Sequence, residues 1–145
     1  VVLVGHSVGA GACLYAASDD PDTAAVIALA SMADPRVFMR GQLQRVLPRP
    51  LATLALRYVE HTIGRRFEEF VPVATIAGIH APVLLLHGAQ DTTVPVADAY
   101  RLHALAPANT TLRVIDDADH FSVEALDRAG PVLAQFLAGA LTPSR

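Results

Sequence analysis

A chain of 145 residues, 52% of them hydrophobic, is the size of one ordinary domain and has ample material for a core. Its net charge of -3 argues against a nucleic-acid surface, and because every basic residue is arginine, no Schiff-base or Walker-type lysine is available. The lone Cys13 cannot close an intrachain disulfide, no apolar run reaches membrane-spanning length and no basic leader precedes Val1, so the cytoplasm is the default location.

In chain order, apolar β-branched runs alternate with helical patterns, which predicts an α/β fold: a parallel sheet with helices on both faces. Residues 1–4 (VVLV) read as the first strand and 8–18 as a helix of small residues, with Cys13 as a small core side chain. Residues 25–30 (AVIALA) are the second strand. From Met32 to His80 no strand is expected. A helical stretch near Val37–Val46 is followed, after LPRP at 47–50, by Leu51, Leu54, Ala55 and Tyr58 at helical spacing, with Gly64 as the stop. Residues 32–80 therefore read as a helical lid insertion over the sheet edge, carrying Phe38, Leu51, Leu54, Tyr58 and Phe67; ordinary crossover helices are the alternative. The organisation expected is 1–31 for the first strand and the unit that follows it, 32–80 for the insertion, and 81–145 for two functional loops and a last helix. In that last part, residues 82–87 (PVLLLH) and 111–115 (TLRVI) read as strands. A helix over 95–105 has Pro95 in its first turn, and the terminal helix runs from about Pro131 to Leu141.

The opening VVLVGHSVGAG places a serine among glycines between a strand and a helix. Gly5, Gly9 and Gly11 do not have the dinucleotide-binding spacing, and the absent lysine excludes a P-loop. Gly5-His6-Ser7-Val8-Gly9 does match G-x-S-x-G, in the strand-turn-helix context that this motif requires. The turn is sharp, so residues two before and two after the serine are expected to be nearly without side chains. Ser7 then becomes a candidate nucleophile, and the Val8 amide at the helix head a candidate oxyanion donor. A serine hydroxyl needs a base and an orienting acid. GAQDTTVP, after the third strand, supplies Asp91; DDADHFS, after the fourth, supplies His120. Asp34, just after the second strand, is a competing acid. His6 inside the turn orients or packs. His61, His80, His87 and His103 match no catalytic position, and Asp116, Asp117 and Asp119 lack the spaced His or Cys partners of a metal site.

GHSVGAG, LLLHGAQDTTVP and DADHFS, in that order, resemble the second half of an α/β-hydrolase of the serine esterase and peptidase-like group. The resemblance covers nearly the whole chain and implies hydrolysis of a small-molecule ester, thioester or amide through an acyl-enzyme. Ser7, His120 and Asp91 would act as nucleophile, base and orienting acid, without cofactor or metal. Members of that superfamily build several strands before the nucleophile, and a loop there supplies a second oxyanion amide. Starting on the nucleophile strand is therefore expected to leave a fragment with impaired activity, whose exposed sheet edge invites self-association. A noncatalytic interaction module and an acyltransferase on the same fold are the alternatives.

Overall fold

The computed structural model describes residues 1–121 and 124–142, the side chains of 124–128 excepted. Four parallel strands stand in sheet order identical to chain order: β1 (Val2–His6), β2 (Ala25–Leu29), β3 (Val83–Gly88) and β4 (Thr110–Ile115). Each lies within one or two residues of its sequence expectation. β3 reads as an uninterrupted apolar run because it is an inner strand with both faces covered, and all six of its residues are buried. β1 and β4 have one neighbour each among the described strands and are correspondingly half-exposed.

Alternation along the inner strands assigns their side chains to two cores. Val26, Ala28, Val83 and Leu85 pack with Ala10 and Leu14 of α1 (Val8–Asp19), which is built of small residues and comes close to the sheet. Leu102 of α6 (Val96–Leu105) joins this face. Ile27, Leu84 and Leu86 point the other way, onto Val132, Leu133, Phe136 and Leu137 of α7 (Glu124–Ala140). Fully burying side chains of this size stabilises by roughly 1.5–3 kcal/mol each. The sheet is thus held from both faces.

α7 begins earlier than the sequence suggests. Pro131 lies inside the helix and does not open it. An interior proline costs about 3 kcal/mol, but Ala129 before it and the stripe from Val132 onward are both seated on the sheet, and this burial carries the helix through. Pro95 likewise sits at the N-cap of α6 and not inside its first turn.

Between β2 and β3 every described element is helical: α2 (Pro35–Leu43), α3 (Arg49–Ile63), the single turns α4 (Phe67–Phe70) and α5 (Pro72–Thr75), and a 3-10 turn at Ile76–Gly78. Gly64 ends α3 in the left-handed region at φ 75, a conformation that costs glycine nothing. Leu56, Phe67 and Val71 form a small cluster of their own, with Met39 and Leu43 against it. Ile76 and Ile79, by contrast, are fully buried in the main core beside Leu14, so the last part of this region packs against the sheet. No helix among the described residues is long and apolar enough to cross a membrane.

Candidate active site

The parallel order puts the carboxyl ends of all four strands on one edge, where the loops after β1, β3 and β4 meet. At the end of β1 the chain reverses into α1 through Ser7, whose φ of 55 and ψ of -117 are strained for a residue with a side chain. Two features hold it there. The Ser7 amide donates to the Leu29 carbonyl at 2.8 Å, and the Ser7 carbonyl accepts from the amides of Ala10 and Gly11. The turn is so tight that a Cβ on Gly5 would lie 2.4 Å from the Gly9 carbonyl oxygen. Gly5 is therefore obligatory. Gly9 is not obligatory in the same sense: a Cβ there would meet nothing within 4 Å, so the expected symmetry of the two flanking glycines is absent.

Asp91 ends a turn after β3 with its side chain fully buried. One carboxylate oxygen, Oδ1, accepts the amides of Thr93 and Val94, both at 2.8 Å; the other, Oδ2, lies 2.7 Å from His120 Nδ1. A carboxylate offers only acceptors, so Nδ1 carries the hydrogen and Nε2 presents a lone pair. That lone pair faces Ser7 Oγ at 3.1 Å. His120 stands beyond β4 and is held by its own neighbours: its backbone carbonyl accepts from His6 Nε2 at 2.9 Å, and the His6 and His120 rings lie 4.7 Å apart. This loop is drawn in against the end of β3: a Cβ on Gly88 would lie 2.3 Å from the Ala118 carbonyl oxygen. The Val8 amide is the first of α1 and has no partner one turn back within the helix.

Two chain-level comparisons are empty: no protein-family model and no curated protein matches the sequence. Solved structures do match. The esterase domain of a Rhodothermus marinus protein is 24% identical at a TM-score of 0.68, over 94% of this chain and 58% of that one. Est1E from Butyrivibrio proteoclasticus is 23% identical at a TM-score of 0.72, over 95% and 60%. A monoacylglycerol lipase from Paleococcus ferrophilus is 21% identical at 0.64, over 94% and 68%. The chain has the α/β-hydrolase fold. It spans a little over half the length of the first neighbours it matches. In this α/β-hydrolase sheet the site occupies the carboxyl edge.

Asp34, the competing acid, is engaged elsewhere. It caps α2 by accepting the Arg36 amide at 3.0 Å and pairs with the Arg36 guanidinium at 2.8 Å, and Arg36 in turn reaches Glu68. Burial pushes the Asp34 carboxyl up, but the hydrogen bonds and charge of Arg36 outweigh it and hold the group below its ordinary value of 3.8. The pair's stabilisation is present above that value and lost as the pH falls through the lower folded one. Asn preserves the cap but not the charge. Urea denaturation of Asp34→Asn should show a deficit against the parent chain at pH 7 that closes below about pH 4; a deficit independent of pH would remove the ion pair as its cause.

Of the remaining sequence candidates, Asp117 accepts from Gln90 Nε2 at 3.1 Å and Asp119 accepts the Phe121 amide at 2.9 Å. His61 and His80 are exposed, and His103 bonds Thr110. His87 is different: it is buried directly against Asp91, 3.4 Å from Oδ2. The sequence carried one signal for it, a histidine near the end of β3, four residues before Asp91.

Proposed function

We propose that the chain is a serine hydrolase that cleaves a carboxylic ester, or a related thioester or amide, through an acyl-enzyme. The observation that carries this reading is that His120 stands between Ser7 Oγ and the buried Asp91, at 3.1 and 2.7 Å. Ser7 Oγ attacks the substrate carbonyl carbon and gives its proton to His120 Nε2; the carbonyl oxygen becomes an oxyanion facing the Val8 amide at the helix head. Collapse of the tetrahedral intermediate breaks the bond to the leaving group, which takes the proton from His120. Water then attacks the acyl-serine, with His120 as base, releasing the acid and restoring Ser7. Asp91 keeps the imidazole in the required tautomer and stabilises its charged form. Two of the similar structures are named an esterase domain and a monoacylglycerol lipase, which favours an ester among the three substrates.

A fluorophosphonate probe tests the assignment, because it reports an activated serine without requiring the natural substrate. Labelling should map by peptide mass to Ser7 and vanish in Ser7→Ala. Ser31 is buried and Ser18 donates to the Tyr15 carbonyl, so neither is an expected target; Ser122 lies outside the described residues. A label on any of these three that persists in Ser7→Ala would remove Ser7 from the role.

A further inference from the structure

His87 is the one buried side chain among the described residues with an unpartnered polar atom, and that atom belongs to a ring touching the acid. Its Nε2 lies 2.9 Å from the Val94 carbonyl, which can only accept, so Nε2 carries a hydrogen. Nδ1 is buried with no partner. A hydrogen on Nδ1 would be a buried donor with no acceptor, which is costly, so the hydrogen the geometry calls for is the one on Nε2. The bond to Val94 matters for the site because the Val94 amide donates to Asp91 Oδ1. His87 thus closes the 91–94 turn from behind, while its Nε2–H also leans toward Asp91 Oδ2, the oxygen that receives His120.

We propose that His87 is a positioning residue that fixes the Asp91 carboxylate for His120 through its Nε2–H.

The role in catalysis rests on the serine-hydrolase reading, so the test uses a readout that needs no turnover. In the 145-residue chain with nitrogen-15 in its histidines, the ring N–H resonances are recorded at one pH in the parent, His87→Phe and His87→Gln. In the parent, His87 should carry its hydrogen on Nε2, and the His120 Nδ1–H should give a sharp, strongly downfield proton signal, the mark of a short bond to a fixed carboxylate. His87→Phe removes the donor to Val94 and loosens Asp91, so that signal should move upfield or broaden until it is lost. His87→Gln restores an N–H at the Nε2 position and should return the signal to its parent position. An unmoved signal in a folded His87→Phe, or a parent His87 with its hydrogen on Nδ1, overturns the proposal. If His87→Phe does not fold, the parent tautomer and His87→Gln still decide it: a hydrogen on Nδ1, or a His120 signal lost in His87→Gln, counts against it. Fluorophosphonate labelling of the parent chain is read separately, so a chain that fails to label while the His120 signal responds to His87→Phe sinks the hydrolase reading and leaves the positioning intact.

Discussion

Asp91→Asn should slow phosphonylation of Ser7 and hydrolysis of a p-nitrophenyl ester by about 10⁴, the loss found in serine proteases when the acid becomes an amide. The geometry dictates how. The amides of Thr93 and Val94 both point at Oδ1 and require an acceptor there, so the new side chain must place its carbonyl oxygen at that position. Its NH2 group then occupies the Oδ2 position, 2.7 Å from His120 Nδ1. Two donors cannot face each other, and His120 must move its hydrogen to Nε2, where it confronts Ser7 as a donor and cannot act as a base. The fold should be nearly unaffected because the turn's backbone bonds survive. Asp34→Asn is the matched control, with at most a small kinetic effect. If Asp34→Asn is the variant that collapses the rate and Asp91→Asn stays near the parent, the acid has been misassigned.

Gly88→Ala, the smallest possible substitution, should cost the chain both stability and reactivity. The added Cβ would lie 2.3 Å from the Ala118 oxygen, 2.7 Å from its carbonyl carbon and 3.0 Å from the Asp119 oxygen. All three are backbone atoms, so no side-chain rotation relieves the contact. Either the end of β3 or the 118–119 segment must move, and His120 is the next residue. The 118 segment also accepts the Gln90 amide at 2.9 Å, which ties the acid turn to the same displacement. We expect a lower melting temperature and, at temperatures where the variant is still folded by circular dichroism, loss of most Ser7 labelling. Parent-like labelling together with parent-like melting would mean that the end of β3 and the 118–119 segment can separate at no cost.

What the sequence made legible follows from the range of the interactions involved. The strands could be placed because a buried parallel strand is an apolar run bounded by turn residues. Ser7, Asp91 and His120 could be singled out because each follows such a strand directly, and the structure brings the three side chains together. What escaped was set by contacts between distant segments. The start of α7 was hidden because Pro131 signals a helix start locally, and only seating on the sheet overrides it. His87 matched no catalytic position, because its contacts depend on the 91–94 turn folding back over it. Gly88 gave no sign of its importance, because the obstacle is the backbone of Ala118, thirty positions on.

Strand order that repeats chain order has a kinetic consequence. Ser7 and His120 are 113 positions apart, and β2 and β3 stand between the strands that carry them. Closing so long a loop is entropically unfavourable until the intervening pairs form, and parallel sheets assemble slowly for that reason. A refolding chain should therefore regain α1, and much of its helical signal, well before Ser7 and His120 meet. On the proposed reading, labelling of Ser7 would act as a clock for the docking of β4.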